Sequence, residues 1–319
     1  MDRGECKVVI TDRITDPDIE RKILGSYLSK TLDEDATILL VWHQIVDDAY
    51  LDRFPKLVAV IRYGVGFDKI DLDACKGRGV IVCNNPDYCT EEVSDTAVAM
   101  ILNCSRKLSC YDDQARSYTD GWQENVIPHI TRTSQQKIGF VGLGRTGART
   151  LQSCRALRYQ TQFYDPFLPE GQEKVFGTQK CNDLDEVLGT SDIVSLHCPL
   201  TEETQSLVDE KFLTKMKKGA SLVNTARGQL VKNLEIIYDA LKSNHLDMVC
   251  LDVLPSEPPE NDSLIRAWRN RDKWLSGRLV ITPHAAFYSN ESYLEQRRKA
   301  AETALDGIRR GQFRNVVIN

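Results

Sequence analysis

No uninterrupted apolar run in this sequence reaches the length of a membrane span, and the first residues, Met1-Asp2-Arg3-Gly4-Glu5, lead into no apolar segment of the signal-peptide kind. Membrane association is therefore not expected, and a cytoplasmic location follows. A basic excess is also missing. Lys and Arg number 41 against 46 Asp and Glu, a net charge of −5, so nucleic acid is not an expected direct partner. There are ten cysteines but no C-x-x-C pair. Cys6, Cys83, Cys198 and Cys250 sit inside apolar runs, which suits buried reduced thiols better than a disulfide framework or a metal centre. No metal is assigned. Internal repeats and low-complexity segments are lacking too. What is present is a balanced composition, 27% charged and 41% hydrophobic, over 319 residues. At that length a single core usually divides in two.

Short β-branched runs alternate with amphipathic stretches. Strands are expected at Lys7–Ile10, Ile38–Val41, Val58–Ile61, Val80–Cys83, Lys137–Val141, Thr161–Tyr164, Ile193–His197, Ala220–Asn224, Met248–Asp252 and Leu279–Thr282. Helices are expected at Glu92–Arg106, Leu207–Met216 and Asn233–Ser243. Near-continuous apolar strands separated by helices predict parallel sheets covered on both faces. A last helix, Ser292–Arg310, places Leu294, Ala301, Leu305 and Ile308 on one side, with Gly311 as its C-cap. Pro255–Asn261 reads as a loop, followed by a charged, Trp-containing stretch, Ala267–Arg278. Ser117–Gln136, with weak periodicity, reads as an arm or loop.

Lys137–Val141 runs directly into Gly142-Leu143-Gly144-Arg145-Thr146-Gly147, a G-x-G-x-x-G between a strand and a helical run. In that setting the first glycine permits a tight turn, the second lets the backbone approach a pyrophosphate, and the third allows close helix–strand packing. Taken alone the motif is weak, because glycines also end strands and cap helices. Here the next strand ends in Asp165, eighteen residues after Gly147, where a carboxylate accepts hydrogen bonds from the adenosine ribose of NAD. The same carboxylate repels a 2′-phosphate, and Pro166-Phe167-Leu168 adds no cation, so NAD is expected rather than NADP. Arg145 and Thr146 fall at the pyrophosphate.

Three more strand ends carry polar groups: Asn224-Thr225-Ala226-Arg227-Gly228, Asp252 followed by Glu257, and Thr282-Pro283-His284-Ala285-Ala286. In an open α/β sheet, ligands bind outside the carboxyl ends of strands. Singly, each has a bland reading: a solvated Arg, a polar loop Glu, a His capping a turn. With Tyr63-Gly64-Val65-Gly66-Phe67-Asp68-Lys69-Ile70-Asp71 and His197-Cys198-Pro199-Leu200-Thr201, however, they resemble the D-isomer-specific 2-hydroxyacid dehydrogenase family from about residue 55 onward. Tyr164-Asp165-Pro166-Phe167-Leu168, Asn224–Gly228 and Pro283–Ser289 look most like its C-terminal-binding-protein branch, although Phe287 stands where that branch carries Trp.

The resemblance implies Arg227 as the substrate-orienting arginine, Glu257 as the acid supporting the histidine, and His284 as the general acid/base. Reduction of a 2-oxo acid needs a hydride at C2 and a proton at the carbonyl oxygen. Histidine suits the proton step, and a neighbouring carboxylate favours its protonated ring. Arg227 can grip carboxylate and carbonyl through its planar fork. The resemblance further implies NAD contacts from Gly142, Gly144, Arg145, Thr146, Gly147, Asp165, Cys198, Thr204, Thr225, Ala226, Asp252 and His284. Substrate contacts are implied for Arg62, Tyr63, Val65, Gly66 and Arg227, with Tyr63 and Phe287 as an aromatic wall. His197 is expected to be structural or to line the cofactor channel.

The expected fold is α/β, two doubly wound Rossmann-like domains, with an NAD-binding domain (106–286) inserted into a flavodoxin-like substrate domain (1–105 and 287–319). Two chain crossings would form a hinge. The resemblance implies a homodimer through the NAD-binding domain, with Ser117–Gln136 contributing. A second reading is an NAD(H)-sensing, corepressor-like scaffold that binds peptide partners.

Overall fold

A computed structural model describes residues 6–116, 122–123, 126–128 and 130–318. The opening five residues and part of the expected arm Ser117–Gln136 lie outside the described residues. The chain forms two compact units, 1–89 with 288–319, and 90–287. The sequence-based division at 105/106 had placed helix Thr90–Arg106 with the first unit. Its buried face (Ala97, Met100, Ile101, Cys104) instead joins a core with Ile138, Phe140, Leu151, Val223, Met248 and Cys250. The helix therefore belongs to the second unit, and the later boundary falls between Phe287 and Tyr288.

In the first unit, β1 (Val8–Ile10), β2 (Ile38–Val41), β3 (Ala59–Arg62) and β4 (Ile81–Cys83) are parallel neighbours in that order. An isolated parallel bridge, Val8 to Leu28, lies on the other edge of β1, so the chain winds outward from β1 in both directions. Strand β12 (Val316–Ile318) closes the far edge antiparallel to β4. Helix Asn290–Arg310 opens with a Ser289 capping box and ends at left-handed Gly311. Its buried face differs from expectation. Leu294 is 53% exposed, whereas Ser292, Gln296, Arg297, Ala300, Ala301, Thr303, Ala304, Gly307 and Ile308 are buried. Arg297 can be buried there because Glu20, itself fully buried, meets it: Nε to Oε1 at 3.0 Å and Nη2 to Oε2 at 2.6 Å.

The second unit is a seven-stranded parallel sheet: β5 (Lys137–Val141), β6 (Gln160–Tyr164), β7 (Gln179–Lys180), β8 (Ile193–Leu196), β9 (Ala220–Asn224), β10 (Leu246–Leu251) and β11 (Leu279–Ile281). Their order is β11-β10-β9-β8-β5-β6-β7. Strands β8, β9 and β10 are apolar almost throughout, and cores on both faces cover them. The winding reverses between β5 and β8, so the ends of these strands flank the switch point where such sheets bind ligands. Among the described residues no helix is long and apolar enough to cross a membrane, and all ten cysteines are free thiols.

Candidate active site

The glycine loop turns at the end of β5. Gly142 has φ +88°, and a Cβ there would lie 2.7 Å from Cys198 N. The loop thus packs backbone to backbone against the end of β8. A Cβ on Gly147 would lie 2.7 Å from Gly142 O, so this glycine lets helix Arg145–Ala156 come close to the turn. Gly144 differs, because a Cβ there would meet nothing within 4 Å. It caps that helix with no side-chain hydrogen bond, which leaves open space in front of the helix's first amides. Asp165 takes the Leu143 amide at 2.8 Å and the Phe167 amide at 3.0 Å, fixing its carboxylate beside the loop.

Thr225 carries a buried hydroxyl with no hydrogen-bond partner among the described residues. An open helix terminus, an anchored carboxylate and a buried hydroxyl in want of a partner fit a dinucleotide. Thr204 is placed otherwise. Its hydroxyl donates to Pro199 O at 2.6 Å and accepts from the Thr201 amide at 2.8 Å, so it serves the turn after β8. His197 stacks on Phe140 and bonds Ser195 Oγ at 2.9 Å. Burial lowers its pKa to about 4, so the ring is neutral at working pH.

The Asp165 carboxylate makes cofactor choice testable. Asp165→Ser combined with Phe167→Arg should weaken NADH use and improve NADPH use in steady-state assays. A wild type that already prefers NADPH would contradict the assignment.

Arg227, Glu257 and His284 come together at the ends of β9, β10 and β11. Asn224, fully buried, accepts from the Ala226 amide and donates to Arg227 O at 2.8 Å, shaping the turn that presents Arg227. The next residue must be glycine, since a Cβ on Gly228 would lie 1.9 Å from Leu254 O. Leu254 in turn donates its amide to Glu257 Oε1 at 3.0 Å, and Glu257 Oε2 meets His284 Nδ1 at 2.7 Å. Burial raises the Glu257 carboxyl, but hydrogen bonds from His284 and the Leu254 amide, with the Arg227 charge, outweigh it and hold the pKa below the usual glutamate value. The side chains of His284 and Glu257 are 42% and 38% exposed, so a ligand can reach the ring.

His284 itself has φ +53°, a conformation few residues with a side chain adopt. Asp252 holds it there. The carbonyl of Asp252 accepts the His284 amide at 2.8 Å. Its buried carboxylate accepts Thr282 Oγ1 at 2.5 Å and the Ala285 and Ala286 amides at 2.9 and 3.0 Å. The sequence had assigned Asp252 to NAD alone. Its role as the hub of the His284 turn became visible only with the structure.

In the first unit, the Tyr63 expectation is corrected. Tyr63 is fully buried and its hydroxyl donates to Glu20 at 3.0 Å, so its ring is core and cannot wall a ligand. Arg62 lies over the following turn, for a Cβ on Gly64 would sit 3.1 Å from its Nη1. Val65 is 38% exposed. Burial, then the charges of Arg62, Lys69 and Arg13, lower His43 to about 4 against the opposing charge of Asp12.

Hydride chemistry on a carbonyl needs a nucleotide cradle and a proton donor, and the second sheet carries both at the same ends of its strands. The protein is a dinucleotide-dependent oxidoreductase. Residues 98–286 match the description "D-isomer specific 2-hydroxyacid dehydrogenase, NAD binding domain". A glyoxylate reductase of Thermofilum pendens is 32% identical over 98% of this chain and 88% of its own length. Another, from Korarchaeum cryptofilum, is 32% identical over 92% of this chain and 85% of its own. Among solved structures, D-lactate dehydrogenase of Aquifex aeolicus, complexed with NAD and lactic acid, superposes with a TM-score of 0.82 at 25% identity, over 98% of this chain and 99% of that one. The chain belongs to the D-isomer specific 2-hydroxyacid dehydrogenase family, and it is NAD-dependent.

Proposed function

We propose that this enzyme reduces a small 2-oxo acid such as glyoxylate or pyruvate to the 2-hydroxy acid, with His284, Glu257 and Arg227 carrying the chemistry. The His284–Glu257 pair is the observation that carries this assignment. Because Nδ1 is taken by Glu257, Nε2 is the nitrogen left to exchange a proton with the substrate oxygen. In reduction His284 gives that proton; in the reverse direction it takes one. Glu257 fixes the ring's orientation and balances the imidazolium charge. Arg227 holds the substrate and stabilises negative charge growing on the carbonyl oxygen. NADH, when bound, supplies the hydride to C2. Gly142, Gly144, Arg145, Thr146 and Gly147 would hold its pyrophosphate, Asp165 its ribose, and Cys198, Thr225, Ala226 and Asp252 the nicotinamide half. In the first unit the amides of Val65 and Gly66 are assigned to the substrate carboxylate.

The 32% identity to two glyoxylate reductases supports a small substrate. The test is steady-state oxidation of NADH with glyoxylate, pyruvate and larger 2-oxo acids. Tight NADH binding without turnover on any of them would favour the corepressor-like alternative, which no structural observation supports. Within the family we assign the chain to the C-terminal-binding-protein branch, a reading supported by its motifs around Asp165 and His284. A homodimer through the second unit and a cytoplasmic location complete the proposal; the latter is supported by the free thiols.

Arg62 bears on specificity. At the end of β3, directly before the Val65 and Gly66 amides, it is assigned to a second anionic group at the substrate's far end. A charge-assisted hydrogen bond there contributes roughly 1.5–3 kcal/mol. Substrates with a distal carboxylate or phosphonate should outperform plain alkyl ones, and Arg62→Ala should erase the preference while sparing pyruvate. Equal loss on all substrates would show that Arg62 serves the common carboxylate or the fold.

A further inference from the structure

Three successive carbonyls, Tyr63 to Val65, are all taken by two neighbouring asparagines at the end of β4. Asn85 Nδ2 donates to Tyr63 O at 2.9 Å, the Asn85 amide donates to Gly64 O at 3.2 Å, and Asn84 Nδ2 donates to Val65 O at 2.7 Å. The asparagines are themselves anchored. Asn85, fully buried, also donates to Gln296 O at 2.8 Å, and the Asn84 amide donates to Asn315 O at 3.3 Å. A peptide unit is planar and trans, so each carbonyl points opposite to the N–H of the residue that follows it. Drawing the Gly64 and Val65 carbonyls toward Asn85 and Asn84 therefore turns the Val65 and Gly66 amides away from those asparagines. Glycine at 64 and 66 offers little local resistance to a flipped peptide, so the chain needs an external hold on these carbonyls.

We infer that Asn84 and Asn85 are positioning residues for 2-oxo acid binding: by pinning the loop carbonyls they aim the Val65 and Gly66 amides at the substrate carboxylate. This rests on the assignment of those two amides made above. Asn85 sets the base of the loop from within the core. Asn84, half-buried, controls the Val65–Gly66 peptide alone and is the position to test.

Asn84→Ala and the near-isosteric Asn84→Asp, which has no N–H to give, are compared with wild type. Loss of one hydrogen bond that orders the anion site should raise the KM for glyoxylate and the inhibition constant of oxamate together, by about tenfold. Asn84→Asp should do so at least as strongly. The NADH dissociation constant, followed by its fluorescence, should stay within about twofold of wild type, as should kcat, and the pH profile set by His284 should not move. Wild-type KM in either variant overturns the inference, and so does a KM rise accompanied by weakened NADH binding or a lowered melting temperature. If the wild type turns over glyoxylate but oxamate does not compete with it, the amide assignment fails. If the wild type reduces no 2-oxo acid, the proposed function fails with it.

Discussion

Replacing His284 with alanine is expected to cut turnover by about 10²–10⁴-fold, the usual scale for removing a general acid–base group, while NADH binding changes little. The expectation follows from the imidazole held 2.7 Å from Glu257, whose other ring nitrogen is the proposed proton carrier in either direction. Glu257→Gln keeps the shape and removes the charge that balances the imidazolium. Reduction requires the protonated ring, so NADH oxidation should slow in that variant. Glu257 is held below the ordinary glutamate value, by His284 above all once burial is overcome. Its contribution to the pair is therefore complete above that ordinary value and is lost only as pH falls through the lowered one. Wild-type pH profiles and rates in both variants would refute the proton-transfer assignment.

The largest stability effect is expected at Arg297. Its guanidinium, 6% exposed, meets the fully buried carboxylate of Glu20 through two hydrogen bonds and reaches Asp18 Oδ1 at 3.0 Å and Asp16 O at 2.8 Å. Arg297→Leu leaves Glu20 enclosed with the Tyr63 hydroxyl as its remaining neutral donor. Stranding one member of a buried pair destabilises by roughly 3–5 kcal/mol. Denaturant unfolding should show that loss in a transition reporting the first unit, and NADH binding should mark the second unit as intact. Replacing Glu20 with Gln as well should recover part of the stability, because the buried charge goes with it. A single substitution costing less than about 1 kcal/mol would show that Glu20 is not held by Arg297.

Most of the second sheet was legible because its strands are written in continuous apolar runs, and a strand covered on both faces needs little else. That Arg227, Glu257 and His284 would lie together was legible for a related reason. Arg227, Glu257 and His284 follow three such runs, and parallel strands bring their carboxyl ends to one side. The strands that escaped notice are short and lie at edges. Gln179–Lys180 is wholly polar, and Val316–Ile318 is three residues long. The last helix was misread at Leu294 because its buried side is polar: Gln296 and Arg297 point inward, and the partner that permits this, Glu20, is remote in sequence. Tyr63 was misread for the same reason, since nothing near it in the sequence announces the Glu20 acceptor. Asn84 and Asn85 carry no local signature at all. Their meaning lies in three carbonyls some twenty residues earlier.

The 277-residue gap between Glu20 and Arg297 also dictates an order of birth. On a ribosome the segment 90–287 emerges whole, with hydrophobic cores of its own, before the helix that carries Arg297 exists. At about 5–20 residues per second, a newly made Glu20 waits on the order of 14–55 s for its counter-charge, and β4 waits on the order of 12–47 s for β12. The nascent nucleotide-binding unit can thus mature while the first unit is still an open sheet with an unmatched acid. Emergence of the helix that carries Arg297, rather than local collapse of the chain's beginning, completes that unit, and a nonsense codon before Tyr288 would yield one finished unit joined to one that cannot close.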